Sequence, residues 1–188
     1  MSTYNRGLVG LTALAGTVLL ASCAATMVGA PSTSALSGPN LGRAATPAEI
    51  AAIDISIPPS GEGLPPGRGT GKIGATVYAA KCAACHGTKG EGKPADALVG
   101  GIGSLATARP MRTVGSFWPY ATTLFDYTRR AMPVNAPFTL TNDELYAVTA
   151  HMLVLNGIIG EDIELNAQTL PKIPMPNRNG FVDFSGKR

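Results

Sequence analysis

Cys82, Cys85 and His86 fall within five residues of one another in the stretch TVYAAKCAACHGTKG, and the chain has one further cysteine, Cys23, and one further histidine, His151. Two thiols two residues apart can close a redox disulfide, supply half of a zinc site, or carry a covalently attached haem. A thioredoxin-like motif belongs in a βαβ setting, and none is legible around these residues. A zinc tetrad needs a second ligand pair, which this sequence lacks. Cys-x-x-Cys followed by His is the attachment pattern of haem c. One helical turn and its continuation bring the two thiols under the vinyl edges of the porphyrin, and the next residue turns its imidazole toward iron.

A proximal His86 leaves one axial position to assign. His151 lies in the last helical segment, where a core-edge imidazole is the ordinary role. Met152 shares an apolar stripe with Leu145 and Val148, which makes it a core residue, and Met175 lies in a Pro-rich tail. Met132 differs from both. Pro133 stops the helix behind it, so its thioether sits at a helix end and can swing inward. Met132 is therefore the expected axial ligand, with Met111 as its rival.

Several elements must position these groups. A helix is expected from about Lys72 to Ala84, with Ile73, Val77 and Ala80 on one face and Gly74 and Tyr78 on a neighbouring one, running into Cys82. After His86 a glycine-rich loop follows. Its Gly101-Ile102-Gly103 and Ala106 mimic a dinucleotide fingerprint, but no strand precedes them, so nucleotide binding is set aside. A second helix spans about Tyr120 to Ala131, with Leu124, Phe125 and Tyr127 at helical spacing. Thr141-Asn142-Asp143-Glu144 is a capping box for a final helix closed by Gly157. No segment reads as a strand.

Ahead of this region, residues 23–68 are rich in Ala, Ser, Gly and Pro and read as a tether. Thr46-Pro47-Ala48-Glu49 opens one short helix in it, through about Ile53, expected to lie on the main domain. Residues 69–160 form the expected haem domain. The tail, 161–188, contains Pro171, Pro174 and Pro176 and is expected to be extended, either wrapped over the domain or partly disordered.

At the N-terminus, Arg6 precedes an uncharged apolar run, which marks residues 1–22 as an export signal. Leu20-Ala21-Ser22-Cys23 resembles the bacterial lipoprotein box, in which the cysteine is acylated. An ordinary cleaved signal and an uncleaved anchor are the alternatives. All three place the remaining chain outside the cytoplasm. Lipidation of Cys23 would also remove a third thiol that could form a wrong disulfide with Cys82 or Cys85. Loss of residues 1–22 takes only Arg6 from 15 basic residues, leaving 14 against 12 acidic ones. A net charge of +2 is too weak for a nucleic-acid binder.

The order of helix, CxxCH, glycine-containing loop, helix, Met-Pro and final helix resembles the class I c-type cytochromes. Gly74 and Tyr78 look like the small-then-aromatic pair with which that family's first helix crosses its last. The crossing partner there is commonly aromatic, and His151 stands at the matching position. The resemblance implies an all-α class I cytochrome c fold around one covalent haem c, with extended N- and C-terminal segments.

More narrowly, residues 43–183 are similar to the cytochrome subunits of bacterial sulfite dehydrogenases and of the sulfur-oxidising (Sox) sulfur dehydrogenase, above all in the block WPYATTLFDY…RRAMP. The single CxxCH matches the mono-haem type. This likeness implies a one-electron carrier on the periplasmic side of a bacterial membrane. Its donor would be a separate molybdenum-containing catalytic subunit, and its acceptor a downstream cytochrome c or oxidase. A general membrane-tethered cytochrome serving another dehydrogenase or a terminal oxidase is the alternative, and a haem enzyme with an open iron a third reading. Trp118, Tyr120, Arg129 and Arg130 are placed to reach the haem edge, with Trp118 and Arg130 as propionate partners. The competing expectation is that the indole packs and the arginines are solvated. A carbonyl near Pro94 is the expected acceptor for the second N–H of His86. Residues 69–160 carry eight basic and five acidic side chains, so partner contact is expected to be mostly apolar, around an exposed haem edge.

Overall fold

The computed structural model describes residues 42–182, so the export signal, Cys23 and residues 183–188 lie outside the described residues. The chain divides into two units, 1–44 and 45–188. All that follows concerns the second.

Its first element, α1 (Pro47–Ile53), is built by purely local signals. The Thr46 hydroxyl accepts from the Glu49 amide, the Glu49 carboxylate accepts from the Thr46 amide at 2.8 Å, and Pro47 opens the helix. None of its residues is buried, so it does not seat on the core as expected. The chain first enters the core at Ile57. From there to Gly67 it runs as a strap along the domain. Tyr146 donates its hydroxyl proton to the Pro65 carbonyl at 2.8 Å, and Asn142 donates to the Pro66 carbonyl at 3.0 Å.

The strap leads into β1 (Arg68–Thr70), and Thr70 caps α2 (Gly71–Lys81) by accepting from the Ile73 amide. The helix breaks at Cys82 and a single turn, α3 (Ala83–His86), resumes after it, where the sequence predicted one continuous helix. Its buried residues are Gly71, Gly74 and Tyr78, while Ile73 is 59% exposed. The seam with the helix Asn142–Leu155, α5, is too close for a branched side chain. A Cβ on Gly74 would run into the carbonyl of Ala147, and one on Gly69 into the same residue's backbone. The small face therefore turns inward and Ile73 is pushed out.

α4 (Ala121–Ala131) buries Ala121, Leu124 and Phe125, with Tyr127 at the surface instead of in the predicted apolar row. α5 (Asn142–Leu155) is the central helix, buried on every side from Leu145 to Ala150. It opens on the predicted capping box of Thr141 and Glu144 and closes at Gly157, whose φ is +68°. There the Gly157 amide donates to Val154 and the Ile158 amide to Leu153, a Schellman arrangement.

After α5 the chain forms β2 (Glu164–Asn166), antiparallel to β1 with Gly69 opposite Leu165. These strands were not predicted, because three residues centred on a glycine carry no readable alternation. Leu165, Leu170, Ile173 and Met175 are all buried, so the tail as far as Met175 wraps over the domain and completes its core. Apart from this short ribbon and a single 3-10 turn at Leu170–Lys172, the described fold is helical.

Candidate haem site

α2 delivers Cys82 at its C-terminal end, half-buried against the core, and α3 presents Cys85 to solvent. The turn between them is closed by the amides of Cys85 and His86, which both donate to the Cys82 carbonyl, at 3.1 and 3.0 Å. Burial pushes the free Cys82 thiol up to about 11, opposed by the nearby Lys81 charge. Tyr78, one turn earlier, donates its hydroxyl proton to the Gly87 carbonyl at 2.9 Å, which ties the helix to the residue after His86.

The loop beyond folds back on this turn. Gly92 donates its amide to the His86 carbonyl at 2.8 Å and Ala95 to the Cys85 carbonyl at 2.9 Å. His86 Nδ1 lies 2.8 Å from the carbonyl oxygen of Asp96, two residues past the predicted position at Pro94. That bond makes Nδ1 the protonated nitrogen and leaves Nε2 as the one with a lone pair for a metal. Two thiols one turn apart, beside an imidazole whose tautomer is set by backbone, are the donors that covalent haem requires. The residues fit the group.

Met132 is the C-cap of α4. Its amide donates to Thr128 at 3.0 Å, its backbone then turns extended, and its side chain is half-buried. Met152 and Met175 are buried in the core. Met111 is 48% exposed, and its backbone is held by Ser104 and Ser116 within its own loop. His151 is occupied at the helix crossing, with its ring 5.2 Å from that of Tyr78. Burial holds its pKa below the ordinary histidine value, opposed by a hydrogen bond with the backbone of Gly71.

Trp118 is half-buried and meets Tyr127 edge to face at 5.6 Å. Arg130 pairs with Asp126 on its own helix, and Tyr120 lies under the guanidinium of Arg178 at 4.6 Å. Sequence reasoning missed three residues that organise these surroundings. Asp126 is buried, and its only visible sign is an acid four residues before an arginine. Asn156 is buried at the end of α5, donating to the Leu98 and Met152 carbonyls and accepting from the Gly100 amide. The Asp96 contact uses a backbone carbonyl, which no side-chain pattern reveals.

Residues 69–152 match the family model described as cytochrome c oxidase, cbb3-type, subunit III. The crystal structure of the sulfane dehydrogenase SoxCD from Paracoccus pantotrophus is similar at 41% identity and a TM-score of 0.71, covering 78% of this chain and 72% of that one. The chain belongs to the c-type cytochromes. Among curated proteins none matches. As a c-type cytochrome the protein binds haem c covalently and transfers electrons, and its helical architecture is the cytochrome c fold.

Proposed function

We propose that this cytochrome carries one haem c, joined through thioethers to Cys82 and Cys85 and ligated by His86 and Met132. The observation that carries the axial assignment is the position of Met132. It is a half-buried thioether at a helix end, whereas Met152 and Met175 are consumed by the core. When bound, the group supplies a one-electron Fe(III)/Fe(II) couple. His86 would hold the metal through Nε2, because the Asp96 carbonyl fixes Nδ1 as the protonated nitrogen, and that hydrogen bond would raise the basicity of the ligand. The soft thioether of Met132 favours the reduced ion. With His86 and Met132 both holding the iron, the bound group would pass electrons and leave no position for a substrate. The indole N–H of Trp118 and the donors of Arg130 not given to Asp126 would serve the propionates.

The electron source we assign is a molybdenum-containing subunit that oxidises sulfite or another sulfur compound, with delivery to a downstream cytochrome c or oxidase. Support comes from the 41% identity to a sulfane dehydrogenase across most of both chains. The lipoprotein-type signal at residues 1–22 and acylation of Cys23 would hold the carrier at the periplasmic face of a membrane. Stopped-flow mixing of the oxidised cytochrome with sulfite and a candidate molybdenum subunit tests the pairing. Reduction should be fast and depend on that subunit. Equal rates with unrelated dehydrogenases would defeat it. The match to a cbb3-type oxidase subunit favours a second reading, a general carrier feeding a terminal oxidase, which those equal rates would support.

A further inference from the structure

We infer that Asp126 is a positioning residue for Met132, fixing the last turn of α4 to the strap that precedes β1. The inference rests on the ligation by Met132 proposed above. Asp126 is 6% exposed, in a helix whose other inward residues include Leu124 and Phe125. A carboxylate that deep is costly unless its lone pairs are used.

Both of its oxygens are engaged, on different partners. Oδ1 accepts the backbone N–H of Ile57 at 3.2 Å, and Oδ2 accepts from the guanidinium of Arg130. Ile57 is itself a core residue, and the strap it begins is anchored at its far end to α5 through Tyr146, Asn142 and Asp143, the last accepting the Arg68 amide at 2.8 Å. Arg130 lies in the final turn of α4, two residues before Met132. Asp126 thus clamps that turn from within and ties it to a segment held by the central helix.

The consequence concerns the direction of one side chain. A helix end frays more easily than its middle, and after Met132 the backbone leaves the helix. Unless something holds the last turn, the thioether has no fixed approach to a metal. Asp126 supplies that restraint without touching the ligand.

The test uses matured holoprotein in four forms: wild type, Asp126→Asn, Asp126→Ala and Tyr146→Phe. Three properties are read in each: the sulfur-to-iron charge-transfer band of the oxidised protein, its affinity for added imidazole, and its midpoint potential. Asp126→Asn keeps an acceptor for Ile57 but loses the ion pair. It should weaken the band, bind imidazole about tenfold more tightly and lower the potential, and Asp126→Ala should do so further. Removing a negative charge by itself would raise the potential, so the sign separates lost positioning from simple electrostatics. Tyr146→Phe removes one of the three bonds at the other end of the strap and leaves those of Asn142 and Asp143 in place. It should unfold at lower denaturant concentration with all three properties unchanged.

A normal band and imidazole affinity in Asp126→Asn, with a potential unchanged or raised, would overturn the inference. Equal changes in Tyr146→Phe would overturn it too, by reducing Asp126 to general stability. If Asp126→Ala does not mature, the nearly isosteric Asn variant decides alone. Absence of the band in the wild type would remove Met132 as ligand, and this inference with it, before any Asp126 variant is compared.

Discussion

Gly74 of α2 lies directly against the carbonyl of Ala147 in α5, with no room between them for a methyl group. The two helices approach backbone to backbone, and Cys82 begins one turn beyond Tyr78 on the same helix. Gly74→Ala should cost about 3 kcal/mol through overpacking, since the obstructing atoms belong to main chain and cannot rotate away. Denaturant unfolding of the holoprotein measures it. Ile73→Ala, next door but exposed, should change stability by less than about 0.5 kcal/mol.

Protonation of His151 should loosen the same crossing. Its folded pKa is depressed by burial, whereas the unfolded chain takes up the proton near the ordinary value of 6.5. The unfolded state therefore binds more protons below that value, and stability is lost as the pH falls through 6.5 toward the folded pKa. Tyr78, the ring against it, is pushed up to about 12 by burial and stays neutral throughout. Melting temperatures between about pH 5.5 and 7 should fall on acidification in the native protein and hold steady in His151→Phe. Parallel curves for the two would refute the assignment.

Met132→Ala should abolish the sulfur-to-iron charge-transfer band and lower the midpoint potential, while Met111→Ala leaves both in place. Rapid carbon monoxide binding by the reduced wild-type protein would mean an open iron and defeat the axial assignment.

Asn156 uses two hydrogen bonds to join the end of α5 to Leu98 and Gly100 in the loop beyond His86, and a third to Met152 on its own helix. Asn156→Ala takes the acceptor from the half-buried Gly100 amide and removes the side chain's bonds to the Leu98 and Met152 carbonyls. It should destabilise the protein by roughly 2–3 kcal/mol, read by chemical denaturation with the haem spectrum as a second signal.

Cys23→Ser should release the cytochrome from membranes with an unchanged haem spectrum. Continued retention would point to an uncleaved anchor.

The attachment motif was legible because its chemistry is local. Cys82, Cys85 and His86 follow one another closely enough to make the haem c attachment pattern, and both capping boxes, Thr46 with Glu49 and Thr141 with Glu144, declare helix starts within four residues. Met132 stood out for the same reason, with Pro133 beside it. Where partners are distant in sequence, the same reading failed. Of the two faces read for α2, the one with Gly74 and Tyr78 is buried and Ile73 is exposed; periodicity records which positions share a face, not which face the neighbouring helix leaves room for.

What the sequence by itself determined is the CxxCH turn and the helices around it, since propensity, capping and a five-residue motif act over short range. Only the tertiary structure decided that β1 and β2 pair across 90-odd residues, that the Asp96 carbonyl orients His86, and that Asp126 and Asn156 are buried connectors. Those contacts depend on backbone groups and on long-range closure, and a linear pattern of side chains encodes neither.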